Sequence, residues 1–188
     1  MNSVCDAESK SKEGSATQTE TKPKLAKKKL GSIRPLTAYG DLWMAGQPQQ
    51  SDIQLLKQQG IKTVVTLRKP GEVPWDQQAA YKQAGIKFMT IPFQKPEELT
   101  PEVFGKVRKL LNDKQRGPTL LHCGSSNRVA AVWYAHRVLD GKLSADEAAT
   151  EAKIVGIRSQ ALLEKAKQYV ASEQAKQSRP ATEGSAAR

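Results

Sequence analysis

Leu120-Leu121-His122-Cys123-Gly124-Ser125-Ser126-Asn127-Arg128 is the stretch on which the reading of this 188-residue chain turns. Gly117 to His122 is a short apolar run that reads as a buried strand, and Arg128 to Leu139 reads as a helix. A Gly/Ser turn joins them. Cys123 therefore falls under the free backbone N–H groups and the positive end of a helix, an arrangement that favours thiolate over thiol and makes a nucleophile. The same amides, curled into a concave turn, can hold an anion. Arg128 adds a planar fork suited to two oxygens of an oxyanion.

Outward from that stretch, strands and helices alternate. Leu36 to Ala45 reads as two strand pieces about a Gly40-Asp41 hairpin turn. A Gly46-Gln47-Pro48 turn follows, and Ser51 with Gln54 three residues on predicts the start of a helix ended by Gly60. Lys62 to Leu67 and Lys87 to Ile91 are β-branched or apolar runs that predict strands. Asp76 to Ala84 resumes a helical pattern, and Thr100-Pro101 caps another, with Val103, Val107, Leu110 and Leu111 on its apolar face. The helix from Arg128 is apolar nearly all round and so should be buried. Ser144 with Glu147 forms a capping box for a helix to about Val155, and Arg158 to about Val170 gives the last one. This order predicts an α/β fold of three layers, with a mostly parallel central sheet flanked by helices. Cys123 would lie beyond the carboxyl end of a strand, where such sheets bind ligands.

Composition bounds the rest. Residues 1–34, which end in a lysine-rich run, and residues 171–188 hold few apolar groups and are expected to be disordered tails around a single catalytic domain at 35–170. The net charge of +11 is spread along the chain. A diffuse positive field speeds encounter with anionic ligands without selecting among them. No specific nucleic-acid binding is expected, since no aromatic residue is interleaved with the tail lysines. The two cysteines, Cys5 and Cys123, do not suggest a disulfide, and no run approaches the length of a membrane span. A cytoplasmic protein is expected, or a periplasmic one if the start site hides a signal peptide. A monomer or weak oligomer is expected.

The succession Gly46-Gln47-Pro48, helix, Leu67-Arg68 at a strand end, Gly71-Glu72, helix, Ile91-Pro92 at a strand end, helix, then His122-Cys123 to Arg128 resembles a known group. These are the small bacterial phosphatase-like domains of the dual-specificity and tyrosine phosphatase superfamily, in particular those associated with beta-lactamase-like hydrolases. The resemblance covers roughly residues 35–160. It implies the fold of the cysteine-based phosphatases and hydrolysis of phosphoesters, on a phosphorylated small molecule or a phosphoprotein. Cys123 would form a phosphocysteine, Arg128 would grip phosphate oxygens, and a carboxylic acid would protonate the leaving group. No metal and no cofactor is implied.

Three departures keep other readings open. Only four residues separate Cys123 from Arg128, where the tyrosine phosphatases have five. The shorter spacing is that of rhodanese-type sulfurtransferases, whose Cys carries a persulfide. Gly124 stands beside the Cys while Ser126 fills the middle of the loop, and Val129 follows the Arg where phosphatases place Ser or Thr. A sulfurtransferase and a non-catalytic phosphate-binding module are therefore the alternatives. Gly124, Ser125, Ser126 and Asn127 would contribute backbone N–H groups to the anion first and side chains second. His122 would either steady the thiolate or serve as a strand-end histidine, and Arg68 would add positive field. Glu97 and Glu98, after the Ile91-Pro92 strand end, are the candidate acids, with Glu72 and Asp76 on the neighbouring loop as others. Trp75 would wall the pocket, and His136 reads as structural.

Overall fold

The computed structural model describes residues 23–178. Its strands are β1 (Leu25–Lys27), β2 (Leu36–Tyr39), β3 (Leu42–Ala45), β4 (Thr63–Thr66), β5 (Lys87–Thr90) and β6 (Thr119–His122). They form one sheet in the order β1-β2-β3-β6-β4-β5. The four strands β3, β6, β4 and β5 run parallel, while β2 hairpins back onto β3 and β1 pairs antiparallel with β2. The helices are α1 (Ile53–Gln58), α2 (Gln77–Gln83), α3 (Pro101–Asn112), α4 (Asn127–Leu139), α5 (Ala145–Val155) and α6 (Gln160–Ser178).

The strand alternation sorts these helices into two layers. Val64 and Leu120 face one apolar cluster with Ile53 and Leu56 of α1 and Tyr81 and Ala84 of α2. Val65 and Leu121 face the other, which is built on α3, α4, α5 and α6. Helix α4 lies deepest, with nine of its thirteen residues buried, as an all-round apolar helix must. The expected three-layer α/β architecture is thus present, with β6 among the parallel strands and Cys123 at its carboxyl end.

The structure differs from the sequence reading at the ends and at α1. Residues 25–34, expected to belong to a disordered tail, form part of the sheet edge. Ile33 is fully buried, and the Asp52 carboxylate accepts hydrogen bonds from the Ser32 backbone at 2.9 Å and the Ser32 hydroxyl at 2.6 Å. Gly31 lies so close beneath Asp52 that an added Cβ would stand 2.0 Å from its Oδ1. Burial of Ile33 and the tie of Ser32 to the buried Asp52 outweigh a polar composition that would otherwise leave this segment free. The expected tail at 1–22 lies outside the described residues. At the other end α6 runs to Ser178, beyond the expected limit near 170. The cap before α1 is a Gln49–Asp52 pair around a single 3₁₀ turn instead of the Ser51–Gln54 pair, because Asp52 is the residue tied back to Gln49 and Ser32.

Candidate active site

Cys123 continues the β6 line by one residue. Its N–H donates to Ala45 O of β3 at 3.2 Å, and its side chain is 1 % exposed at the floor of the loop. The loop is then clamped to the segment after β3: Gln47 N donates to Gly124 O at 3.1 Å, and Gly46 bridges Ser125. Gly46 must be glycine at this crossing, since a Cβ there would lie 2.1 Å from Arg34 O. This explains why a Gly-Gln-Pro turn accompanies the Cys loop although the two lie far apart in sequence.

The glycine pattern in the loop follows from its backbone. Ser126 adopts φ +65°, the left-handed conformation that glycine takes without strain, while Gly124 is not in that region. A Cβ at Gly124 would meet only Arg128 Nη2, at 4.0 Å. So the conformational demand sits at position 126, and a serine meets it. Ser126 is fully buried and its hydroxyl has no partner among the described residues.

Arg128, in the first turn of α4, is held from the other side. Its Nη1 and Nη2 donate to Glu72 Oε1 at 3.0 Å and Oε2 at 2.7 Å, a bidentate pair, and Nη1 also reaches Leu67 O and Phe93 O. The hydrogen bonds from Arg128, helped by the Lys69 backbone N–H and the Arg68 charge and opposed by desolvation, bring the Glu72 carboxyl down to about 2. Burial opposes the Arg128 charge, and Glu72 together with the nearby Cys123 sulfur outweighs it, so the guanidinium pKa is raised. Glu72 is therefore ionised at neutral pH and serves Arg128, not a leaving group. Sequence reasoning places Glu72 among the acids and misses this role; the signal is Gly71-Glu72 following a strand that ends in Leu67-Arg68.

The remaining candidates fall in distinct places. Arg68 Nη1 donates to Gln47 Oε1 at 3.0 Å, and the same guanidinium contacts the Glu72 backbone oxygen and carboxylate, so it joins the β4 loop to the Cys loop clamp. The Asn127 side chain turns away to accept from Arg158 N at 2.8 Å and Ser159 N at 3.1 Å, which ties the start of α6 to the loop. The Arg158 guanidinium in turn lies 3.4 Å from Ser125 O, a neighbour that nothing in the sequence pattern flagged. His122 is fully buried, on the sheet face opposite the thiol; burial, reinforced by the charges of Arg68 and Arg128, pushes its pKa down to about 3. It is neutral, its Nε2 has no partner among the described residues, and its Nδ1 lies 3.5 Å from Cys123 O.

Glu98 is bound to Lys69 Nζ at 2.7 Å and accepts from Gln94 N at 2.8 Å, contacts that hold its carboxyl below the usual range. Glu97 beside it is exposed. Asp76 caps α2 by accepting from Ala79 N at 2.9 Å. His136 pairs with Asp140 at 3.2 Å, and Asp140 is bidentate to Arg108, a network joining α3 and α4 away from the loop.

A family model described as "DSP-PTPase phosphatase fused to NAD+ Kinase" matches residues 26–179. A "Beta-lactamase hydrolase-like protein" of Agrobacterium fabrum is 27 % identical over 107 residues, covering 54 % of this chain and 24 % of that protein. The chain thus spans about a quarter of the length of the curated relatives it matches. Among solved structures, TpbA of P. aeruginosa superposes with a TM-score of 0.58 at 24 % identity, covering 73 % of this chain and 83 % of that one. A DUF442 protein of Shewanella putrefaciens CN-32 gives a TM-score of 0.62 at 19 % identity, with coverage of 75 % and 94 %. A cysteine-to-serine form of TpbA has been solved with phosphotyrosine bound.

Proposed function

Because the chain belongs to the family of DSP-PTPase phosphatases found fused to NAD+ kinase, we propose that it hydrolyses phosphoesters through a phosphocysteine on Cys123. One observation carries the reading above family membership. Arg128 is locked bidentately by Glu72 at the mouth of a loop whose floor is Cys123. An anion ligand held in place before substrate arrives stabilises charge without reorganisation during the reaction.

In this mechanism the Cys123 thiolate attacks phosphorus, the S–P bond forms and the P–O bond to the leaving group breaks. The loop N–H groups of residues 124–128 and the free face of Arg128 take the equatorial oxygens. The leaving oxygen receives its proton from Glu97, which has no ion pair among the described residues, whereas its neighbour Glu98 is engaged by Lys69. Water then attacks phosphorus, giving a proton back to the same carboxylate, the S–P bond breaks, and phosphate leaves with Cys123 restored as thiolate. The phosphotyrosine complex of TpbA supports an aryl phosphate as the first substrate to try. The four-residue spacing in the loop favours a second reading, a sulfurtransferase with a persulfide on Cys123.

Intact-mass measurement decides between them. After incubation with p-nitrophenyl phosphate, wild-type protein should gain a phosphate-sized adduct that Cys123→Ser lacks, and the variant should lose turnover while keeping its fold. A single added sulfur after thiosulfate, with no phosphate adduct, overturns the phosphatase reading. Among the described residues no helix is long and apolar enough to cross a membrane.

A further inference from the structure

Beside the Cys loop, at the carboxyl ends of β4 and β5, lies a second cavity of about 280 Å³ that the mechanism above does not use. Thr66 and Thr90 mark the strand ends beneath it, Phe88 and Trp75 supply aromatic walls, and Arg68 forms the border toward the Cys loop. Arg68 reaches Gln47 Oε1 from this border, and Gln47 N holds Gly124 O, so the cavity is linked to the Cys loop through Arg68 and Gln47. The aromatic walls are backed rigidly: Tyr81 stacks on Phe88 with centroids 5.2 Å apart and stands 6.0 Å from Trp75.

The lining also contains an unmet polar group. Gln77 is only 9 % exposed, and its amide nitrogen has no hydrogen-bond partner among the described residues. A buried amide left unpaired is costly, so it is best explained by something that pairs with it in the working protein. A carboxamide offers a donor and an acceptor side by side, the pattern that reads the edge of a nucleobase. Aromatic walls offer a stacking surface to the same ring. A phenol ring has a π-face but, apart from its reacting oxygen, no polar edge for Gln77. The cavity lies at the small end of the usual range for ligand sites, about 300–1,000 Å³, which suits one ring system and not a peptide.

We propose that this cavity, walled by Trp75 and Phe88 and read by Gln77, holds the heteroaromatic base of a nucleotide whose phosphate enters the Cys123 loop. The proposal rests on the phosphatase reading and names its substrate class: nucleoside phosphates in preference to phosphotyrosine. The bordering Arg68 then lies between base and phosphate, where it meets the sugar or a second phosphate.

Binding of phosphate-free ligands tests the cavity independently of turnover. Titration calorimetry of the full chain with adenosine, uridine and tyrosine should show one or both nucleosides binding, the better of them at least tenfold tighter than tyrosine. Gln77→Leu should weaken that binding at least tenfold, and Trp75→Ala, at a partly exposed site, should do so as well. With nucleoside monophosphates, Gln77→Leu should lower kcat/KM at least tenfold relative to p-nitrophenyl phosphate in the same preparation. Nucleosides that bind no better than tyrosine overturn the proposal, as does binding that neither substitution alters. Absence of p-nitrophenyl phosphate turnover with nucleoside binding intact would instead count against the phosphatase reading alone.

Discussion

On the β4 side of the site, Glu72, Leu67 O and Phe93 O engage Nη1 and one edge of Nη2 of Arg128, whereas on the β6 side His122 Nε2 and Ser126 Oγ are buried without partners among the described residues. The two walls meet at one residue and differ in kind. The β4 wall is saturated and holds the Arg128 guanidinium in a single pose. The β6 wall, which carries Cys123, stores a left-handed serine and a neutral histidine. Strain of this kind persists only where surrounding structure enforces it, and here the clamps from Gly46, Gln47 and Arg158 do so. The site therefore places its rigidity in Arg128 and its cost in the loop.

The largest effect should come from breaking the saturated wall. Glu72→Gln removes the charge that orients Arg128, and misplacement of an oxyanion ligand lowers turnover by about 10²-fold. The same change should destabilise the protein by about 1–2 kcal/mol after allowance for solvent screening. Its pH dependence has a definite sign. The folded-state pKa of Glu72 lies near 2, below its ordinary 4.5, so its stabilisation is complete above 4.5 and disappears as pH falls through 2. Urea unfolding of the two proteins should converge across that window; a constant difference would show that charge is not the cause.

A smaller effect is expected from the opposite wall. His122 has a folded pKa near 3 against an ordinary 6.5, so below 6.5 the unfolded chain takes up a proton that the folded protein refuses. Stability should fall by up to about 1.4 kcal/mol per pH unit from this group, or about 2 kcal/mol by pH 5. His122→Leu should flatten that slope in unfolding curves measured between pH 7 and pH 5, while an unchanged slope would place its origin elsewhere.

The smallest effect separates the two loop positions. Ser126→Gly relieves the left-handed backbone and the buried hydroxyl and should raise stability by about 0.5–1 kcal/mol. Gly124→Ala, with open space at its Cβ, should change it by no more than about 0.5 kcal/mol. Thermal melts read both, and equal responses would mean that the loop does not distinguish the positions.

Much of this arrangement is legible in the sequence. The strand, Cys, turn, Arg and helix succession, the hairpin at Gly40-Asp41 and the capped helices at Thr100 and Ser144 all rest on local patterns, and all are present. The misreadings share a cause. Residues 25–34 look like tail because Ile33 and Ser32 acquire their partners only from Asp52 and the core around α1. Ser126 looks like a displaced glycine because the sign of φ is imposed by the clamps on either side of it.

By itself, then, the sequence determined the layered α/β architecture and the meeting of a thiol with a helix terminus and an arginine, since those follow from periodicity and from neighbours a few residues apart. Tertiary structure alone decided that Glu72, 56 residues from Arg128, is its fixed partner and not an acid. It also decided that His122 is neutral and that Asn127 faces α6 instead of the anion. Charge state and side-chain direction depend on desolvation and on partners distant in the chain, and local propensity carries no record of either.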